Sequence, residues 1–74
     1  MTESIQVLIA QNLGVDESRV TEGARLREDL GMDEISSVEL AMALDELTGT
    51  ETTEEDMEEL TTVQDIIQYL QRAG

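Results

Sequence analysis

A helix is predicted to begin within the stretch Asp29-Leu30-Gly31-Met32-Asp33-Glu34-Ile35-Ser36-Ser37-Val38-Glu39-Leu40. Asp33 is a suitable N-cap, because its carboxylate can accept hydrogen bonds from the first free backbone N–H groups of a helix. Gly49 is expected to end the helix after Thr48. The apolar positions form a broad surface: Ile35, Val38, Leu40, Ala41, Met42, Ala43, Leu44 and Leu47. Three acidic residues remain for the solvent side: Glu39, Asp45 and Glu46.

A first helix is predicted from Glu3 to Leu13. Its apolar residues recur at i, i+3, i+4 and i+8: Ile5, Leu8, Ile9 and Leu13. Gly14 supplies a stop after the last turn. Residues 15–33 then lack a sustained period, although 16–19 can form one helical turn. The segment is expected to be pinned across the core by isolated apolar anchors: Val15, Val20, Leu26 and Leu30.

Two further helices are predicted near the C-terminus. Thr53 opens a short one, whose acidic first turn suits the positive end of the helix dipole. Thr62 then acts as an N-cap with Asp65 three residues on, and the last helix ends near Arg72. Its apolar stripe has the spacing i, i+3, i+4, i+7: Val63, Ile66, Ile67 and Leu70. The predicted fold is all-α, a small four-helix bundle in one domain spanning 1–74.

Composition narrows the possible partners. Eighteen acidic residues face four arginines and no lysine, for a formal net charge of −14. Nucleic acid and anionic membranes are therefore not expected to bind. A basic patch on another protein is the natural partner, with an affinity that falls as salt rises. The alternative is that the charge only maintains solubility.

Several kinds of site are not expected. Cysteine and histidine are absent, which removes the usual zinc ligands and the commonest general base. The spaced pattern of a calcium loop is missing, so no metal is predicted.

No apolar run approaches the length of a membrane span, and the N-terminal residues lack the basic start of a signal peptide. We therefore expect a cytoplasmic monomer without a membrane segment.

Several segments, in order and at matching spacing, resemble the acyl carrier protein family over nearly the whole chain. The stretch 29–40 is similar to the family signature Asp-Leu-Gly-x-Asp-Ser-Leu-x-x-Val-Glu-Leu. The other matching segments are Asn12-Leu13-Gly14-Val15, Val38-Glu39-Leu40-Ala41-Met42-Ala43-Leu44, Leu60-Thr61-Thr62-Val63-Gln64-Asp65 and Tyr69-Leu70. The resemblance implies a non-catalytic carrier that holds acyl groups on a 4′-phosphopantetheine arm, which a separate transferase attaches to a serine.

The resemblance also implies a recognition face for acyl-processing and carrier-modifying enzymes on the second helix. The residues predicted to bind partners there are Asp33, Ile35, Val38, Glu39, Met42 and Glu46. Charge supports this face independently, since no basic residue lies between Glu28 and Gln71. For the three apolar members, burial in the core is an equally good interpretation of their spacing.

The chain departs from the family at the attachment position, which is occupied by Glu34. A carboxylate has no hydroxyl with which to form the stable phosphodiester, so no cofactor is expected there. Ser36 and Ser37 are displaced by about 200° and 300° around the helix, which makes them poor substitutes. Glu34 is acceptable in a first helical turn and mimics the charge of the modified serine.

A second departure concerns Thr48, Thr52 and Thr53, where family members usually carry Phe, Ile and Pro. Threonine at the first two positions should make the wall of the acyl cavity smaller and more polar. Two interpretations are favoured. One is a carrier-like docking module without an arm; the other is a genuine acyl carrier of fatty-acid or polyketide synthesis, with serine changed to glutamate at position 34 or modified at a nearby serine. An enzyme using Asp33 with Glu34 is disfavoured, because paired acids need a cleft with opposed environments.

Overall fold

A computed structural model describes residues 3–73, which contain four α-helices. They are α1 (Glu3–Leu13), α2 (Glu34–Thr48), α3 (Glu54–Glu59) and α4 (Val63–Ala73), with a 3₁₀ turn at Glu17–Arg19 between α1 and α2. Helix α2 contacts both α1 and α4. The all-α prediction is confirmed, and the bounds of α1 and α2 agree with those expected from the sequence.

Helix α2 is fixed at both ends by local hydrogen bonds. At the start, the Asp33 carboxylate accepts the Ser36 N–H at 2.8 Å, and the Ser36 hydroxyl accepts the Asp33 N–H at 2.9 Å. At the end, Gly49 has φ 72° and donates its N–H to the Asp45 carbonyl at 2.8 Å. Glycine adopts the left-handed backbone conformation more readily than any other residue. Gly49 therefore explains why α2 ends where the sequence predicted.

The two C-terminal helices begin with reciprocal caps of the same kind. Thr53 Oγ1 accepts the Asp56 N–H, and the Asp56 carboxylate accepts the Thr53 N–H, both at 3.1 Å. At α4 the Asp65 N–H donates to Thr62 Oγ1 at 3.2 Å, and the Asp65 carboxylate accepts the Thr62 N–H at 3.1 Å. The predicted N-cap Thr62 is therefore confirmed, and Thr53, predicted to open the short helix, is its N-cap.

The core is aliphatic. Its fully buried large side chains come from α1, the segment between α1 and α2, α2 and α4: Ile9, Val20, Leu26, Leu40, Leu44, Val63 and Ile66. Met57 of α3 and Leu60 just after it are also buried and belong to the core. Tyr69 packs against the core only in part.

The segment between α1 and α2 is pinned across this core, as predicted. Val20, Leu26 and Leu30 are buried, whereas Val15 is only partly so. Two further buried anchors, Ala24 and Met32, were not expected from the sequence. The burial of these two residues follows from how the loop crosses the core, which no local pattern in this segment specifies.

Backbone hydrogen bonds tie the same segment to the start of α4. Leu26 donates its N–H to the Thr61 carbonyl at 2.9 Å, and Val63 donates to the Ala24 carbonyl at 3.0 Å. Arg25 and Thr62 form an isolated antiparallel bridge between these bonds. The order of the first loop therefore depends on residues almost forty positions later.

No helix in the part of the chain described, residues 3–73, combines the length and the apolar character needed to cross a membrane.

Candidate docking face and adjoining cavity

Glu34 is the first residue of α2 and is exposed. It directly follows the N-cap, where unpaired backbone N–H groups leave a partial positive charge. A carboxylate is stabilised in that position by about 0.3–1 kcal/mol. The structure thus places Glu34 at the open mouth of α2, which is where the resemblance expects the attachment serine.

Asp33 is held in its ionised form beside Glu34. The Ser36 backbone N–H and then the Ser36 hydroxyl donate hydrogen bonds to this carboxylate, and these bonds lower the pKa of Asp33 below its ordinary value. Bonds donated to a carboxylate favour its charged form. Asp33 is therefore committed to capping α2 while it contributes negative charge to its N-terminal end.

An exposed apolar row runs along α2. It consists of Ile35, Val38 and Met42, whose exposed fractions are 72%, 58% and 63%. The alternative expectation that these three side chains pack in the core is therefore wrong. The core positions of α2 are taken instead by Leu40 and Leu44, which are fully buried. Because the helix is apolar on more than one side, spacing alone could not decide which side is covered.

Carboxylates border the apolar row. Glu39 follows Ile35 by four residues and Glu46 follows Met42 by four, a spacing that makes helical side chains neighbours. Both carboxylates are exposed. Five of the six residues predicted to bind partners thus lie exposed along α2, and the sixth, Asp33, lies exposed at its N-cap.

A cavity of about 400 Å³ opens between α2 and α3 beside this face. Its lining residues come from both helices and from the chain segments before each of them: Arg27, Glu34, Ser37, Val38, Ala41, Met42, Asp45, Glu51, Thr52, Thr53, Glu54, Met57 and Glu58. Val38 and Met42 belong both to the apolar row and to this cavity. The exposed apolar row of α2 and the cavity are therefore continuous.

Asp45 and Thr52 both line the cavity and are hydrogen-bonded to each other. The Asp45 carboxylate accepts the Thr52 N–H at 2.5 Å, and Thr52 Oγ1 shares a hydrogen bond with the Tyr69 hydroxyl at 3.0 Å. Asp45 is only partly exposed, so its predicted place on the solvent side is wrong. Its spacing from Val38 and Ala41, seven and four residues, could have placed it on the cavity side.

Thr48 is not among the residues that line the cavity. Its hydroxyl donates to the Leu44 carbonyl at 3.0 Å and lies 3.0 Å from the Thr50 hydroxyl. The expected effect of Thr48 on an acyl-cavity wall therefore stays a prediction, whereas Thr52 contributes a polar, buried residue to the wall of this cavity.

The two serines after Glu34 are engaged differently. The Ser36 hydroxyl is part of the α2 cap, where it accepts the Asp33 N–H and lies 2.9 Å from the Asp33 carboxylate. Ser37 is only 8% exposed. Neither hydroxyl is presented at the helix mouth as the side chain of Glu34 is.

Sequence reasoning missed several cavity residues, above all Arg27, Ser37 and Glu58. They lie in a loop, on the buried side of α2 and on the short α3, and no shared spacing connects them. Within residues 3–73, no group of three or more acidic side chains is arranged to hold a metal ion.

The four helices, the long pinned first loop and the exposed α2 face are the features that the carrier resemblance implies. Comparison with known protein families gives a match over residues 3–70 to the family described as phosphopantetheine attachment site. The chain belongs to this family, that of the acyl carrier proteins. Domains of the family are carriers of acyl groups rather than enzymes, and they normally bear 4′-phosphopantetheine.

Proposed function

We propose that this protein is an acyl-carrier-like docking module that lacks the phosphopantetheine arm. It binds acyl-processing or carrier-modifying enzymes through the acidic, partly apolar face of α2, and it catalyses no reaction itself. The observation that carries the proposal is the exposed apolar row of α2 beside Glu34, the first residue of the helix. By the family resemblance, Glu34 occupies the position of the attachment serine.

The composition of the face supports docking. Ile35, Val38 and Met42 are large apolar side chains left in water, and such groups rimmed by polar residues mark interaction sites. Glu39 and Glu46 beside them would meet basic groups on a partner and accelerate encounter. The described part of the chain has no basic residue on α2 or α3 to neutralise this face.

The chemistry of residue 34 supports the absence of an arm. Attachment requires a hydroxyl oxygen that attacks the phosphate diester of coenzyme A, and Glu34 offers a carboxylate. The capping role of Asp33 also disfavours an acid pair with Glu34, because a carboxylate that accepts the cap bonds is poorly disposed to carry a proton.

The alternative is a genuine carrier in which glutamate replaces the serine at position 34, or which is modified at Ser36 or Ser37. The burial of Ser37 and the capping role of Ser36 count against the second form. Thr52 in the cavity wall counts against the first, since a change confined to position 34 would leave the usual apolar residue at 52.

Mass spectrometry after incubation with coenzyme A and a broad-specificity phosphopantetheinyl transferase tests the missing arm. We expect no adduct on the protein, one adduct on Glu34→Ser, and none on Glu34→Ala, which removes the charge without supplying a hydroxyl. An adduct on the unsubstituted protein, mapped to Ser36 or Ser37, would show that the arm is present and overturn the proposal.

Docking is tested with the same transferase. The unsubstituted protein should inhibit transfer of the arm to an independent carrier that still has its serine, and the inhibition should weaken as salt rises. If a large excess leaves the transfer rate unchanged, and Glu34→Ser is not modified either, the α2 face does not dock and the proposed function is wrong.

A further inference from the structure

The cavity between α2 and α3 is strongly acidic for its size. Five carboxylates are among its lining residues: Glu34, Asp45, Glu51, Glu54 and Glu58. Arg27 is the one cationic residue that lines it. Arg19 and Arg25 are bound elsewhere, since both donate to Asp29 in the first loop. Arg27 therefore leaves an excess of four negative charges around the cavity.

The same cavity has an apolar wall. Val38, Ala41 and Met42 line it from α2, and Met57 lines it from α3. Met57 is 6% exposed and Ser37 is 8% exposed, so both lie at depth, whereas Met42 stands at the rim with 63% exposed. An occupant must therefore match an apolar interior and a negative rim at once.

A free fatty acid meets only half of these requirements. Its chain suits the methionine wall, but its carboxylate would be repelled by the rim. A thioester-linked chain would need an arm at position 34. An aliphatic chain that ends in a cation meets both, because the stem lies along apolar surface while the charged end stays near carboxylates and water. A volume of about 400 Å³ is ample for a side chain and falls in the range of ordinary ligand pockets.

We propose that this cavity receives a lysine or arginine side chain from the docking partner. The inference rests on the proposed docking function and names the partner's chemistry: a basic side chain that projects next to the surface covering Ile35, Val38 and Met42. Because Val38 and Met42 belong to both the row and the cavity, the stem of the inserted side chain continues the apolar contact. The cationic end is then placed among Glu34, Glu54 and Glu58.

The test uses the isolated protein and capped tripeptides, acetyl-Gly-Lys-Gly-amide and its arginine counterpart, with norleucine as the uncharged control. Labelled methionine methyl groups are followed by NMR at constant ionic strength. We expect saturable shifts of Met42 and Met57 with the basic peptides, at roughly millimolar affinity for so small a ligand. Met32, which is buried and does not line the cavity, should not move.

Two double variants distinguish binding in the cavity from attraction by the overall negative charge of the protein. Glu54→Gln with Glu58→Gln removes two rim charges, and we expect binding to weaken at least about threefold, equivalent to roughly 0.7 kcal/mol. Glu55→Gln with Glu59→Gln removes the same charge from the same helix, at exposed positions that do not line the cavity. This control should leave the affinity unchanged.

Three results would overturn the inference. The norleucine peptide, or hexanoate titrated in the same way, could shift the methyl groups of Met42 and Met57 as much as the lysine peptide does, which would show that the cavity selects an apolar chain and not a cation. Both double variants could weaken binding equally, which would mean that the peptides are attracted by the overall negative charge and not bound in the cavity. The basic peptides could also leave both methyl groups unmoved.

The outcome is independent of the transferase experiments. If the protein inhibits the transferase but the peptides do not bind, the proposed insertion of a basic side chain into the cavity is wrong and the proposed docking function stands. Peptide binding without inhibition, or without modification of Glu34→Ser, removes the proposed function while the cavity still takes a basic side chain.

Discussion

Thr52 and Tyr69 share a hydrogen bond of 3.0 Å between their hydroxyl oxygens, which joins the segment after α2 to α4. Thr52 is nearly buried, and its N–H is held separately by the Asp45 carboxylate. Tyr69 is the only aromatic residue of the chain. Tyr69 thus packs its ring against the core and also links α4 to the segment after α2 through its hydroxyl.

Removing this tie should destabilise the fold modestly. We expect Tyr69→Phe to lower the free energy of unfolding by about 0.5–1.5 kcal/mol, the usual net value of one such bond. Thr52→Val, which leaves the bond to Asp45 in place, should cost a similar amount. Urea unfolding followed by circular dichroism measures both. In the double variant the losses should not add, and full additivity would show that the two hydroxyls do not interact.

The apolar row should matter for docking and little for folding. We expect Met42→Gln to change the free energy of unfolding by less than about 0.5 kcal/mol, as exposed substitutions usually do, while it weakens inhibition of the transferase. Leu40→Ala, two residues earlier and fully buried, should cost about 2–5 kcal/mol. Equal destabilisation by both changes would mean that Met42 is a core residue.

Charge reversal should weaken docking most on α2. In the Glu34→Ser background, we expect Glu39→Lys or Glu46→Lys to lower the transferase kcat/KM by roughly threefold to tenfold, about 0.7–1.4 kcal/mol. Glu17→Lys changes the net charge equally from the exposed 3₁₀ turn and should have a smaller effect. Glu17 is a better control than its neighbour Asp16, whose carboxylate accepts the Ser18 N–H. Equal losses at all three sites would indicate a long-range field without a defined face.

The cap of α2 should weaken in acid. Because the pKa of Asp33 is lower in the folded protein than its ordinary value of 3.8, the ionised cap stabilises the fold above about pH 4. This contribution is lost as the pH falls through the lowered pKa, since the unfolded chain takes up the proton first. Thermal unfolding of Asp33→Asn should therefore approach that of the unsubstituted protein, or exceed it, as the pH falls from about 4.5 to 2.5. Parallel stability curves over this range would exclude the charged cap as the cause.

The helices could be predicted because each one carries local signals at its ends. The caps Asp33, Thr53 and Thr62 and the stop Gly49 act within a few residues, and they fix where the backbone turns. The pinned loop was predicted from Val20, Leu26 and Leu30, because each is a large apolar residue isolated among polar or glycine neighbours. The burial of Ala24 and Met32 was not predicted, because it depends on how the loop crosses the core and not on a local pattern.

The site was predicted less completely, because its surfaces depend on how the helices pack. The spacing of Ile35, Val38 and Met42 suits burial as well as exposure, and only the position of α1 and α4 against α2 decides the matter. The cavity adds residues from Arg27 to Glu58 that no local pattern connects. Asp45 changed from an expected surface acid to a partly buried acceptor because the chain after Gly49 turns back over it.

The hydrogen bonds that join the first loop to the start of α4 have a consequence for the way the molecule opens. The amides of Leu26 and Val63 are held by Thr61 and Ala24 across a long sequence separation. The two hydrogen bonds flank the isolated bridge between Arg25 and Thr62, so separating the loop from the start of α4 breaks both of them. Hydrogen exchange at these two positions should therefore report a single cooperative opening, although more than thirty residues separate them along the chain.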